Sequence, residues 1–171
     1  MSNSAKPPQA ALDQIIGLYN QGQLEQTVAL AESLAKQYPN ALILYDILGA
    51  AYMGLNNADK TISSYQKALE LNPNNTDAHN NMGMALYDQG RFNEAVESYQ
   101  KAVGLEPHFA DAHYNLGNVL KNLGDLKQAI ESYKASLAIN PNDAEVLLNC
   151  GNALKNYGDF GQAIEVYAKT L

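Results

Sequence analysis

The sequence predicts an all-α solenoid of antiparallel helix pairs, and three series of residues predict it. Prolines stand at Pro39, Pro73, Pro107 and Pro141, glycines at Gly49, Gly83, Gly117 and Gly151, and tyrosines at Tyr65, Tyr99, Tyr133 and Tyr167. Each series advances by the same 34-residue step, with no insertion. A fixed period of this size marks stacked supersecondary units. Between the markers, apolar residues follow helical spacing. Leu116, Leu120 and Leu123 do so in one half of a unit, and Leu126, Ala129, Ile130, Tyr133 and Leu137 in the other. Neither helix can bury its stripe alone, so neighbouring pairs must cover it.

Taken in order, the repeats run 8–41, 42–75, 76–109, 110–143 and 144–171, and residues 1–171 read as a single array. Met1 to Lys6 is short and polar and is expected to be a disordered leader. Pro7 and Pro8 follow where a helix can start. The first repeat is degenerate, with Ile15 in the glycine column and Ala31 in the tyrosine column. Terminal repeats commonly depart in this way. The second opens with LILYDILGAAY, apolar on most of its circumference. The third and fourth are the most regular. The fifth is incomplete, running through its second helix and ending there.

Glycine inside a helix costs about 1 kcal/mol against alanine, so the Gly49 series predicts a close approach by the second helix. The small column Ala95, Ala129 and Ala163, with Thr61 in the second repeat, is expected to face it. The tyrosines are expected to fill the gap between consecutive hairpins. Gly22, Gly90, Gly124 and Gly158 mark the turn inside each hairpin, with Asn56 substituting once. Asp125 and Asp159 follow as N-caps, and the prolines end each second helix.

These columns resemble the tetratricopeptide repeat family: Leu116-Gly117, Ala129, Tyr133 and Pro141 in one repeat, Met82-Gly83, Ala95, Tyr99, Ala102 and Pro107 in another. The likeness covers nearly the whole chain. It departs where the family places a large aromatic early in the first helix; His79 and His113 stand there, with Tyr45 and Leu147 in other repeats. The resemblance implies a right-handed superhelix whose first helices line a concave groove for peptides or partner proteins.

Composition narrows the function. A net charge of −7 argues against nucleic acid or an anionic membrane as partner. One cysteine permits no internal disulfide. No run approaches a membrane span and no signal peptide opens the chain, so a cytoplasmic setting is expected.

On the fourth repeat's first helix, Asp111, Asn115, Asn118 and Asn122 share the side opposite the packed residues. The fifth repeats the pattern as Glu145, Asn149, Asn152 and Asn156, and the third gives Asp77, Asn81, Met84 and Asp88. Asparagine is a mediocre helix former, and a primary amide can pair with both peptide N–H and C=O. The array of asparagines resembles the groove of the repeat arrays on O-linked N-acetylglucosamine transferases. Against this, Asn81, Asn115 and Asn149 could equally brace adjacent helices. Lys121 and Lys155 lie at the lip. Towards the N-terminus the same face turns apolar, with Ile16, Ile43, Ile47 and Ala50; Ile43 and Ile47 could instead pack on the first repeat.

Some members of the family grip acidic chaperone C-termini through lysines early in the first helix. Asp46, Asn80, Tyr114 and Leu148 occupy that column here, so the activity does not carry over. His79 and His113 lack a carboxylate partner in their column and are poor metal ligands. Cys150 falls in the buried Leu48, Met82, Leu116 column. No catalytic motif, metal site or cofactor loop is found. The expected function is a non-enzymatic scaffold for an extended peptide or partner helix. The alternatives are the substrate-recruiting arm of a larger glycosyltransferase- or sulfotransferase-like enzyme, or a self-assembly module. For the last, Ile164, Tyr167 and Leu171 match columns that elsewhere pack on the next repeat and, with Ala153 and Leu154 on the same ridge, form the expected self-association face. Either the array continues beyond Leu171 or another copy caps it.

Overall fold

The computed structural model describes residues 6–170; the expected leader, apart from Lys6, and Leu171 lie outside the described residues. These residues form ten α-helices and no strand: α1 (Gln9–Asn20), α2 (Leu24–Gln37), α3 (Leu42–Gly54), α4 (Ala58–Leu71), α5 (Thr76–Asp88), α6 (Phe92–Leu105), α7 (Ala110–Asn122), α8 (Leu126–Ile139), α9 (Ala144–Tyr157) and α10 (Phe160–Ala168). They divide into two compact units, one up to Gln89 holding α1–α5 and one from Gly90 holding α6–α10. Within each unit every helix packs on the next in sequence.

Local chemistry sets the ends of the helices. Gly22, Gly90, Gly124 and Gly158 adopt positive φ, and Asn56 does the same at φ 54°. Asp125 and Asp159 accept from the amides of Gln128 and Gln162, and Asn57, Asn75 and Asp143 cap α4, α5 and α9 in the same way. Each bond satisfies a donor that the first helical turn leaves open.

The helix glycines are packed by tyrosines, not by the alanine column. A Cβ on Gly49 would lie 2.6 Å from the Tyr65 ring, and one on Gly117 would lie 2.6 Å from Tyr133. Gly151 faces Tyr167 in the same way. The ring therefore lies inside its own hairpin, close against the glycine sixteen residues earlier. The alanines are buried as expected, but an alanine side chain is too short to reach across.

In the first unit, Ile15, Ala31, Leu34, Leu44, Leu48 and Tyr52 make one core cluster, with Ile47 half-buried against it. Ile15 and Ala31 thus replace the glycine and tyrosine of later repeats by swapping which helix carries the bulk. The departure from the family's early aromatic also has a structural account. Tyr45 Oη donates to the Pro39 carbonyl at 3.0 Å, His79 Nε2 lies 3.0 Å from that of Pro73, and His113 Nε2 lies 3.0 Å from that of Pro107. This column so pins the proline turn ahead of α3, α5 and α7, whereas Ala11 and Leu147 in the same column have no polar atom to do so.

Candidate interaction surface

The second unit presents the amide-bearing helices α7 and α9. Tyr133 Oη donates to Asn118 Oδ1 at 2.7 Å, and Tyr167 Oη donates to Asn152 Oδ1 at 2.8 Å. Tyr133 is fully buried, so its hydroxyl depends on that acceptor. Asn118 also hydrogen-bonds Tyr114, whose phenol is pushed up by burial and by its bond to Glu145. Leu148 takes the place of Tyr114 one repeat on, and Asn152 has no such second bond among the described residues.

Asn149 is a brace. Its amide nitrogen donates to Tyr114 Oη at 3.1 Å and to the Glu145 carbonyl at 3.1 Å, while its oxygen accepts from Lys121 Nζ at 2.9 Å. Tyr114 Oη donates to Glu145 at 2.6 Å. Both amide protons and the oxygen are used, so Asn149 and Lys121 tie α7 to α9. Asn115 is half-buried on the same side of α7, and Asn122, Asn156 and Lys155 are exposed one turn further along.

In the first unit the same columns look different. Ala50 stands where Asn118 does, so Tyr65 lacks an acceptor in its own hairpin. It accepts instead from Asn81 Nδ2 of the next repeat at 3.3 Å. Burial, partly offset by that bond, pushes the Tyr65 phenol up to about 12, and the nearby Asp46 and Asp77 charges add to the rise. Asp46 is half-buried and accepts from Asn75 Nδ2 at 3.0 Å. Burial pushes its carboxyl up and Asp77 adds to this. Ile43 is exposed, and Asp88 is exposed at the end of α5.

Ala153 and Leu154, expected on an open face, are buried. They occupy the columns of Val119 and Leu120, which are also buried, and Leu154 lines a cleft with Ile130 and Glu131 of α8, so it packs back on the preceding hairpin. Ile164 is open as expected, and Leu148, Tyr157 and Phe160 are open with it. Tyr167 is half-buried over Gly151. Sequence reading missed the tyrosine hydroxyls. The fifteen-residue spacing from Asn118 to Tyr133, repeated from Asn152 to Tyr167, was the available signal.

Cys150 is buried, which pushes its thiol up and leaves it unreactive. Among the described residues, no His, Cys, Asp or Glu group is arranged to hold a metal, and no helix is long and apolar enough to cross a membrane.

Repeated helix pairs of this kind, with polar first-helix faces, define a helical-repeat scaffold for protein interaction. Models of the TPR repeat match residues 49–90 and 83–124, and models of the tetratricopeptide repeat match 110–143 and 9–41. The chain belongs to the tetratricopeptide repeat family. No curated protein sequence matches it. Among solved structures, a crystal structure of MamA is 25% identical, with a TM-score of 0.86 over 90% of each chain. MamA from Desulfovibrio magneticus RS-1 is 20% identical, with a TM-score of 0.87 over 94% of this chain and 91% of that one. YrrB, described as a TPR protein with an unusual peptide-binding site, is 22% identical, with a TM-score of 0.81 over 93% and 82%. The fold is an all-α helical-repeat solenoid.

Proposed function

We propose that the chain binds extended peptide segments along its first helices. The observation that carries this is Asn152, whose carbonyl oxygen is taken by the Tyr167 hydroxyl. Its NH2 group is left as a donor, and a peptide carbonyl is the natural acceptor. Asn156 and Lys155 extend the row by a turn, and Asn118 and Asn122 repeat it on α7. Asn81, Asn115 and Asn149 flank the row, Asn81 and Asn149 chiefly as braces. The reading includes a non-catalytic role and a cytoplasmic setting. The repeat fold supports the first and a single buried cysteine the second, while the acidic charge disfavours nucleic acid and anionic membranes as partners. The test pans a phage-displayed dodecapeptide library on the protein. Selected peptides are expected to lose about 1–3 kcal/mol with Asn152→Ala combined with Asn156→Ala, two hydrogen bonds' worth. Failure to enrich any peptide, or equal binding by the double variant, refutes the reading.

A second reading is self-association through α10. Ile130 on α8 is 6% exposed under α9, whereas Ile164, its counterpart on α10, is 69% exposed. Leu148 and Phe160 widen that patch. A second copy meeting it about a two-fold axis would bury it. Sedimentation over a concentration range tests this with Ile164→Glu, since Tyr167 is needed over Gly151. A parent that stays monomeric at high concentration defeats the idea.

A further inference from the structure

Among the described residues of the first unit, four large apolar side chains are exposed, and all four lie on first helices. They are Ile16 and Tyr19 of α1, Ile43 of α3 and Met84 of α5, each between 38% and 42% exposed. Ile16, Ala50 and Met84 share one repeat column, and Tyr19 and Met53 share the column one turn on. The stripe is therefore continuous in register across three helices. Its charged neighbours are all of one sign. Asp13, Asp46, Asp77 and Asp88 are the only charged residues on α1, α3 and α5. The unit's lysines, Lys6, Lys36, Lys60 and Lys67, all lie off these helices. Lys60 is held by Glu32 and Tyr52, and Lys67 by Glu70. Asp46 and Asp77 are near enough for Asp77 to disfavour ionisation of Asp46. A cleft of about 200 Å³ sits at the turn end of the stripe, lined by Met53, Ala58, Thr61, Ala85 and Asp88 among others. Met53, Ala58 and Ala85 suit the stem of a lysine or arginine, and Asp88, with Asn56 and Asn57 beside it, suits the head.

We propose that this face docks a basic peptide segment in which apolar residues alternate with lysine or arginine. This rests on the peptide-binding reading and names the partner's chemistry for the first unit. Apolar side chains cover the Ile16–Met84 stripe, and flanking cations meet carboxylates that no cation on these helices neutralises.

The test measures fluorescence anisotropy with three labelled dodecapeptides. One alternates lysine with leucine, one glutamate with leucine, and one lysine with serine. The lysine–leucine peptide is expected to bind more tightly than both others. Asp46→Asn combined with Asp88→Asn is expected to weaken it roughly tenfold, the scale of two surface charge contacts. Glu25→Gln combined with Glu70→Gln removes equal charge from α2 and α4 and is expected to change little. Ile16→Ser combined with Met84→Ser is expected to weaken binding without touching charge, and circular dichroism checks the fold of each variant. Equal binding of the lysine and glutamate peptides overturns the proposal, as does equal loss in the two charge variants. If library-selected peptides bind and the lysine–leucine peptide does not, this inference alone falls. If neither binds, the peptide-binding reading falls with it.

Discussion

The two units build one device and spend it differently. In both, a second-helix tyrosine ring lies close against a first-helix glycine: Tyr65 on Gly49, Tyr133 on Gly117. The ring contact is set by backbone proximity, so it recurs wherever the two columns recur. The hydroxyl is set by what stands next to the glycine. Asn118 follows Gly117 and receives the Tyr133 proton, whereas Ala50 follows Gly49 and Tyr65 turns to Asn81 of the next repeat. One substitution in one column so changes an intra-repeat bond into an inter-repeat one. It also changes the exposed face from amide to hydrocarbon. The scaffold is conserved between units by packing, while the surface is free to vary because it carries none of that packing.

The shared part is tested by adding a methyl. Gly49→Ala and Gly117→Ala each place a Cβ 2.6 Å from a buried ring. Overpacking costs about 1–3 kcal/mol, against a helix-propensity gain of about 1 kcal/mol. Both variants are expected to lose stability by chemical denaturation, most at Tyr133, which has no exposed edge to yield. Gly17→Ala, where a Cβ meets nothing within 4 Å, is the control and is expected to gain up to about 1 kcal/mol. If only one of the two glycines is sensitive, the units do not share the device.

The divergent part is tested by removing hydroxyls. Tyr133→Phe deletes a 2.7 Å bond and keeps the ring, so a loss of about 0.5–1.5 kcal/mol is expected. Tyr65→Phe deletes only a 3.3 Å bond and a hydroxyl set among carboxylates, so its loss is expected to be smaller. The reverse order in thermal melts would mean that the Tyr133 hydroxyl gains little from Asn118.

The period, the hairpins, the turn glycines and the caps were legible because each is a local demand on one residue type. Partner choice was not. Tyr133 and Tyr65 have the same place in the repeat, and only the neighbouring helix decides which way each hydroxyl points. The face of Ala153 and Leu154 was misread for a related reason. A wheel separates packed from open, but it cannot separate packing on the preceding hairpin from packing on the next one. Leu154 lines a cleft with Ile130 and Glu131 of α8, so the hairpin before it covers it and none is needed after it.

The smallest expected effect lies in the column that holds Asp46 in the first unit and Tyr114 in the second. Tyr114 donates its proton across to Glu145, whereas Asp46 sits half-buried with only Asn75 to receive from. Burial raises the Asp46 carboxyl above its ordinary value, so the folded chain keeps that proton to higher pH than the unfolded chain does. Stability is then greatest below the unfolded carboxylate value, falls as pH rises through the folded value, and stays reduced above it. Asp46→Asn removes the ionisable group and retains an oxygen for the Asn75 amide. The variant is expected to melt slightly higher than the parent near pH 7 and to match it near pH 3, where both carboxyl states are protonated. Equal melting temperatures at both pH values would mean that the charge of Asp46 is already relieved by solvent, and the acidic face of the first unit would then have no electrostatic debt for a basic partner to settle.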